Sequence, residues 1–245
     1  MTGLKRHWKK GVMSLIVLIG LTIIGGLIFL KSNTSQAMDE AQTLIDEDVV
    51  VQEHDLLIVE PEGDSIGNLV FYQGGLVEPT AYLPLAVGLS EEGWRVFLPS
   101  MPLNLSILGT DRFDSIYETY PSDEEWWIGG HSLGGTGSLI YADEKGNRLA
   151  GIMLLASYPG ESTDLSQSPL PILSITGTQD RVIDSKQYEE TKNLLPDHTQ
   201  FLEIEEGNHS NFGYYGFQSG DGESFITREE QHQQVIEAFS EMTQE

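Results

Sequence analysis

The residues best suited to chemistry are a serine and its flanking glycines, in the pattern Gly130-x-Ser132-x-Gly134. An apolar stretch ends at Gly129 and a helical stretch begins near Ser132, so the pattern predicts a strand, a sharp turn and a helix. Such a turn presents the hydroxyl at a helix N-terminus, where the dipole and free amides stabilise negative charge. We therefore predict that Ser132 is a nucleophile, that the Leu133 amide is an oxyanion donor, and that the two glycines prevent collisions within the turn. The competing interpretation is an ordinary helix cap at a glycine-rich turn.

A nucleophilic serine of this kind is followed along the chain first by an acid and then by a histidine. The strand-like stretch Ile172–Thr176 leads into a short loop that ends in Asp180. A carboxylate in that loop can reach an imidazole across the edge of the sheet, so we predict Asp180 as the acid. Asp184 and Asp164 are rival acids, although Asp184 is also placed to cap the next helix.

His209 is predicted as the base, because it lies alone in a loop that follows a strand-like stretch. The other histidines nearby are placed less well. His131 lies inside the turn and should face away from the site, His198 precedes its strand, and His232 lies in the middle of a polar helical stretch. A neutral imidazole can accept the Ser132 proton and later deliver it to the leaving group.

A second oxyanion donor is predicted in the double glycine Gly74-Gly75. The strand-like stretch Asn68–Gln73 runs into these glycines, and a helical stretch follows them. A loop in that position supplies a backbone amide that faces the nucleophile. We predict the amide of Gly75 or Leu76, and the alternative is that the two glycines only make a turn.

Strand-like and helical stretches alternate through the body of the chain, which is typical of α/β proteins with a parallel sheet. Several of the strand-like stretches are continuous apolar runs, as buried parallel strands are. We therefore predict a mostly parallel sheet of about seven strands flanked by helices, with the chemistry at the carboxyl ends of the strands. The predicted strands are 55–60, 68–73, 95–99, 125–129, 151–157, 171–176 and 200–205, and the predicted helices are 79–90, 113–120, 132–143, 185–195 and 227–242.

The N-terminal part of the chain differs from the body. Segment 1–10 is basic, and 11–30 is an uncharged, predominantly apolar run. At 1.5 Å per residue that run spans about 30 Å, so we predict a transmembrane signal anchor. The basic residues precede it, which places the C-terminal domain outside the cytoplasm. A cleaved signal peptide, with small residues at Ser35-Gln36-Ala37, is the alternative and would give a secreted protein. We assign 31–51 to a stalk and 52–245 to the folded domain.

The charge of the chain is strongly asymmetric. Its 245 residues include 13 Lys and Arg, 38 Asp and Glu, and no Cys. Five of the basic residues lie in the first 31 positions, so eight remain in the body against all 38 acidic residues. A body this acidic repels nucleic acid, and we expect no nucleic-acid partner. The absence of cysteine excludes disulfides, thiolate catalysis and Cys-ligated metal.

Four motifs lie at these positions: Gln73-Gly74-Gly75-Leu76-Val77, Gly130-His131-Ser132-Leu133-Gly134-Gly135, Gly177-Thr178-Gln179-Asp180 and Gly207-Asn208-His209. Together they resemble the small bacterial α/β-hydrolase fold-5 proteins, relatives of the dienelactone hydrolase branch. The resemblance implies an α/β-hydrolase fold and its Ser-His-Asp triad, but it does not specify a substrate. Dienelactone hydrolases proper use a Cys nucleophile, so their activity is not transferred to this chain. The interval 158–169 is too short for a cap domain, which predicts an open site. The stretch from Asn211 to Gly216, with Gln218 and Gly220-Asp221, is also similar to that group.

These observations predict an extracytoplasmic, membrane-anchored serine hydrolase that cleaves an ester, thioester or related acyl bond through an acyl-serine intermediate. The substrate would be a small or polymer-attached acyl compound, and no metal or organic cofactor is implied. Transfer of the acyl group to an acceptor other than water would use the same residues. A catalytically silent binding module on the same fold is the alternative of a different class. The sequence indicates neither the acyl group nor the oligomeric state.

Overall fold

The computed structural model describes residues 18–22 and 24–244. The residues up to Thr34 form one compact unit and those from Ser35 onward form another. In the first unit, 18–22 and 24–32 are helical. Among the described residues, no helix combines the length and apolar character needed to cross a bilayer. The span predicted at 11–30 lies partly outside the described residues.

One sheet of eight strands runs through the part of the chain that the structure describes. Each predicted strand is present, with bounds that differ by one or two residues. The strands are β1 (Val50–Glu53), β2 (Leu56–Val59), β3 (Gly67–Tyr72), β4 (Trp94–Pro99), β5 (Trp126–His131), β6 (Gly151–Leu155), β7 (Ile172–Gly177) and β8 (Gln200–Ile204).

The order of the strands across the sheet is β1-β2-β4-β3-β5-β6-β7-β8. The pairs β1–β2 and β2–β4 are antiparallel, and every pair from β4–β3 to β7–β8 is parallel. The predicted mostly parallel sheet is thereby confirmed. The sequence missed β1 because three of its four residues are exposed, so it contains no buried apolar run.

Helices cover both faces of the sheet. One face packs on the helices Leu83–Glu91 and Arg228–Gln244, around Leu85 and Phe239. The other face packs on the helices Arg112–Thr119 and Leu133–Lys145, around Phe113 and Leu139. Each helix after the first corresponds to a predicted one. The helices of the second unit are α1 (Asp39–Thr43), α2 (Leu83–Glu91), α3 (Arg112–Thr119), α4 (Leu133–Lys145), α5 (Ser185–Thr191) and α6 (Arg228–Gln244).

The folded domain begins at Ser35, which corrects the predicted stalk at 31–51 and the predicted start at residue 52. Ser35 forms an isolated parallel bridge with Val77. Ala41, in α1, is completely buried in the core on the α2 side of the sheet. The sequence gave no sign of this packing because the buried residues are few and small among acidic neighbours, and so make no apolar face.

Between β6 and β7 the chain runs from 156 to 171 without a helix or a strand. The sequence predicts that this interval is too short for the cap domain of larger relatives. In the structure it is a loop that packs against the rest of the domain. Thr163 and Leu165 are buried within it. The loop therefore contributes a wall at the carboxyl end of the sheet and adds no separate layer over it.

Candidate active site

Ser132 lies at the sharp turn between β5 and α4. Its backbone has φ 52° and ψ −120°, a conformation that non-glycine residues adopt rarely and at a cost of about 1–3 kcal/mol. The turn is held by a bond from the Ser132 amide to the Leu155 carbonyl oxygen of β6 (2.8 Å). The Ser132 side chain makes no capping hydrogen bond to α4. The helix-cap interpretation therefore does not explain this serine.

The two glycines of the turn are required by close backbone contacts. A Cβ atom on Gly130 would lie 2.4 Å from the carbonyl carbon of Gly134. A Cβ atom on Gly134 would lie 2.0 Å from the carbonyl oxygen of Tyr72 in β3. Neither contact can be relieved by rotating a side chain, because both neighbours are backbone atoms. The start of α4 therefore packs directly against the end of β3, as the pattern predicted.

His209 and Asp180 form a buried pair at the adjacent strand ends. The distance from His209 Nδ1 to Asp180 Oδ2 is 2.8 Å, and the two side chains are 2% and 1% exposed. The other carboxylate oxygen, Oδ1, accepts the amides of Val182 (2.8 Å) and Ile183 (2.9 Å). These bonds fix the carboxylate in its loop, so one oxygen is left to orient the imidazole.

The rival acids and His198 bond to other groups, although Asp184 also lines the cavity that Ser132 lines. Asp184 accepts the Gln187 amide at 3.0 Å and caps α5, as predicted. Asp164 is exposed and lines a separate cavity beside the end of α4. The ring of His198 bonds to the Leu170 carbonyl oxygen just before β7, at the opposite edge of the sheet from the carboxyl ends of the strands. Of the two remaining histidines, His232 is buried in α6, contrary to the solvated position expected.

Ser132 and His209 line the same cavity, which has a volume of about 190 Å³. Leu133 also lines it, together with apolar side chains from the loops after β6 and β7. The structure thus brings the predicted nucleophile, the predicted base and one predicted oxyanion donor to a single site. Asp180 reaches that site through the His209 ring.

Of the two amides proposed in the glycine loop, only one is available. The Leu76 amide donates to the Asn104 carbonyl oxygen at 2.8 Å, which corrects its assignment as an oxyanion donor. The Gly75 amide has no acceptor among the described residues, and a Cβ on Gly75 would lie 3.1 Å from Leu133 Cδ2. Gly75 and Leu133 are therefore neighbours, and their amides are the pair that remains for an oxyanion.

The buried side chain of Tyr82 holds this loop in place, a role that the sequence did not predict. Its hydroxyl accepts the Gly74 amide (2.9 Å) and lies 2.9 Å from Nδ1 of His131. Burial raises the pKa of Tyr82, so the hydroxyl keeps its proton. No sequence pattern marks such a tyrosine, because its partners are a backbone amide and a residue 49 positions away.

His131 packs against the base instead of facing away from the site. The ring centroids of His131 and His209 are 4.5 Å apart. Burial lowers the pKa of His131 well below its ordinary value, and the nearby His209 lowers it further. His131 is therefore neutral and does not oppose a positive charge that forms on His209.

Replacing Tyr82 by Phe should lower the free energy of unfolding by about 1–3 kcal/mol, since the buried Gly74 amide and His131 Nδ1 both lose their partner. Activity should fall as well, because the loop that presents Gly75 loses its support. Chemical denaturation and steady-state kinetics on the same preparation measure the two effects. Tyr117→Phe is the control, because Tyr117 lies in α3 and its ring packs on Phe113 and Trp126. Equal stability of Tyr82→Phe and the wild type would contradict this account.

Asp221 joins the loops that carry the base and the acid. Its Oδ2 accepts both the amide (2.8 Å) and the hydroxyl (2.6 Å) of Ser210, and its Oδ1 accepts the Arg181 amide at 3.2 Å. The segment around Asp221 was noted in the sequence only for its resemblance. Its role is to hold the residues beside His209 and Asp180 in register.

No group of metal-ligating side chains is present among the described residues. The available groups at the site are a hydroxyl, an imidazole paired with a carboxylate, and two backbone amides. Such a set can attack an electrophilic carbonyl carbon, move a proton and stabilise an oxyanion.

Comparison with known proteins adds a family and a fold. Residues 68–233 match the model of the Alpha/beta hydrolase family. No curated protein sequence matches the chain.

Three solved structures illustrate the likeness in fold. A predicted CIB-like hydrolase from Thermoplasma acidophilum has a TM-score of 0.61 at 14% identity, over 78% of this chain and 98% of that one. A dienelactone hydrolase from Anabaena variabilis has a TM-score of 0.53 at 18% identity, over 79% and 93%. An alpha-beta serine hydrolase homologue from Coxiella burnetii has a TM-score of 0.57 at 16% identity, over 79% and 97%. At these identities the likeness concerns the fold.

Proposed function

Because this chain belongs to the alpha/beta hydrolase family, we propose that it is a serine hydrolase that cleaves an ester, thioester or related acyl bond. The proposal rests on one observation above all. Ser132, strained at its turn, and His209, paired with Asp180, line the same small cavity. We assign Ser132 as the nucleophile, His209 as the base and Asp180 as the acid that orients His209.

The first half of the reaction makes an acyl-enzyme. Asp180 Oδ2 accepts a hydrogen bond from Nδ1–H of His209, which leaves Nε2 unprotonated as the base that takes the Ser132 proton. Ser132 Oγ bonds to the acyl carbon, and the electron pair of the carbonyl moves to its oxygen. The leaving group then departs with its electron pair and takes the proton from His209.

The oxyanion is stabilised by the amides of Leu133 and Gly75. The Leu133 amide is at the N-terminus of α4, whose dipole favours negative charge. In the second half of the reaction His209 takes a proton from water, whose oxygen attacks the acyl carbon and releases Ser132. An acceptor alcohol in place of water would make the enzyme an acyltransferase.

We also propose that the apolar run 11–30 anchors the chain in a membrane, with the domain from Ser35 outside the cytoplasm. Four basic residues precede the run and one follows it at Lys31, and the positive-inside rule gives this orientation. If the run is instead cleaved as a signal peptide, the domain is secreted.

Reaction with a fluorophosphonate probe tests the nucleophile. We expect the probe to modify one peptide, the one that contains Ser132, because Ser132 is the cavity serine at the strained turn directly before the proposed oxyanion amide of Leu133. Ser157 lines the same cavity and provides the matched control. Ser157→Ala should keep the label and Ser132→Ala should lose it, as read by mass spectrometry. Absence of label from the wild type would favour a catalytically silent binding module.

A further inference from the structure

We propose that the substrate is an acyl ester of a membrane lipid, taken from the surface of the bilayer in which residues 11–30 are anchored. This inference rests on the proposed hydrolase function and on the proposed anchor. It follows from the position of Ser35, the first residue of the folded domain, which is bonded to the loop that presents Gly75.

Ser35 is bonded to the loop that presents Gly75. The Ser35 amide donates to the Leu76 carbonyl oxygen (2.7 Å), and the Glu78 amide donates to the Ser35 carbonyl oxygen (3.1 Å). The Ala37 amide donates to Glu78 Oε2 at 3.1 Å. The chain therefore enters the domain directly beside a proposed oxyanion donor, and these bonds fix it there.

The chain between the apolar run and this point is short. Leu30 ends the run, and Ser35 is five residues later. An extended chain covers at most about 3.6 Å per residue, so Ser35 lies within about 18 Å of the end of the span. A domain of this size has a diameter on the order of 40 Å. Ser35, which bonds to the oxyanion loop at the carboxyl edge of the sheet, is thus only five residues along the chain from the proposed anchor.

That edge carries exposed apolar side chains, which we call the apolar rim: Leu103, Ile107 and Leu108. They are 46%, 46% and 53% exposed. The rim is tied to both oxyanion segments, since the Leu76 amide bonds to the Asn104 carbonyl oxygen and Ser106 Oγ donates to the Leu133 carbonyl oxygen at 2.7 Å.

The charge of the rim differs from that of the rest of the domain. From 100 to 110 the chain has no charged side chain. The body as a whole has 38 acidic residues and would be repelled by anionic lipids. An uncharged, apolar segment is the part of such a surface that can approach a bilayer and gain free energy from contact with it.

The size of the cavity agrees with a substrate that remains mostly outside. Its volume of about 190 Å³ is below the roughly 300–1,000 Å³ of sites that enclose a whole ligand. Ala156, Val182 and Ile183 line it, beside the polar side chains of Ser157 and Asp184. The reacting ester and a short apolar stretch can enter, while the rest of a lipid stays against the rim and in the bilayer.

Hydrolysis at a vesicle surface tests the substrate class. The full chain is reconstituted in phosphatidylcholine vesicles that contain a fluorogenic long-chain acyl glycerolipid, and a short p-nitrophenyl ester is the soluble reference. We expect the wild type to hydrolyse both esters. In the double variant Ile107→Gln, Leu108→Gln, the ratio of vesicle to soluble rates should fall about tenfold, because apolar contact with the bilayer is lost.

Ile66→Gln is the matched control. Ile66 is 56% exposed and directly precedes β3, at the edge of the sheet opposite to Ser132. This variant should keep both rates. Hydrolysis of the soluble ester without the vesicle ester would overturn the lipid proposal and leave the serine hydrolase intact. Hydrolysis of neither ester, with no probe label on Ser132, would overturn both.

A spectroscopic measurement is independent of turnover. Because the chain has no cysteine, Leu103→Cys gives a single site for an environment-sensitive fluorophore, and Ile66→Cys gives its control. When the labelled protein is reconstituted in lipid vesicles, the emission of the fluorophore at 103 should shift to shorter wavelength and be quenched by brominated lipid. The emission of the fluorophore at 66 should not change in either way. Equal behaviour of the two labels would overturn the proposed approach of the rim to the bilayer.

Discussion

Ser132→Ala should lower kcat for a soluble acyl ester by about 10⁴- to 10⁶-fold, because the atom that forms the acyl bond is removed. The residual rate would come from the oxyanion amides and from substrate positioning. Steady-state kinetics with a p-nitrophenyl ester measure the loss. Ser162→Ala, in the exposed loop after β6, should retain the wild-type rate.

The same variant should remain folded. The Ser132 side chain makes no capping bond, and alanine and serine pay a similar cost at φ 52°. The free energy of unfolding should therefore stay within about 0.5 kcal/mol of the wild type, as is usual for a substitution that removes no packing. A residual activity above one tenth in this folded variant would disprove the assignment of Ser132.

Asp180→Asn should lower kcat by about 10³- to 10⁴-fold with little change in KM, because an amide can donate to the imidazole and so favour the wrong tautomer of His209. The loop should stay in place, since the Asn carbonyl oxygen can still accept the Val182 and Ile183 amides that Asp180 Oδ1 accepts now. Measurement of kcat and KM separates this effect from a loss of binding.

Asp164→Asn is the control for that substitution, because Asp164 is the exposed rival acid in a different cavity. It should leave kcat unchanged. A larger loss in Asp164→Asn or Asp184→Asn than in Asp180→Asn would move the role of the acid to that residue.

The positions of most strands along the chain and their mostly parallel pairing could be predicted, because buried parallel strands have continuous apolar sequences. All five residues of β6 are buried, for example, and its sequence has no polar interruption. By contrast, β1 and α1 are short, and most of their residues are exposed. Their packing depends on a few buried residues, which are too few to make a periodic apolar pattern in the sequence.

The chemical residues could be predicted because topology alone places them. Ser132, Asp180 and His209 each follow a parallel strand, and parallel strands end at one edge of the sheet. Which amide of the glycine loop is free could not be predicted, since it depends on the Asn104 carbonyl oxygen from a separate loop. The role of Tyr82 could not be predicted for the same reason, because its hydroxyl bridges residues that are distant along the chain.

The docking of Ser35 on Val77 has a consequence for the maturation of the protein. A signal peptidase would cut after Ser35-Gln36-Ala37, yet in the folded domain Ala37 is only 5% exposed and its amide is bonded to Glu78. Proteases require accessible, unbonded backbone. Processing can therefore occur only before the domain closes on this segment, so the order of folding and cleavage during export decides the outcome. A molecule that folds before it is cleaved retains its N-terminal segment.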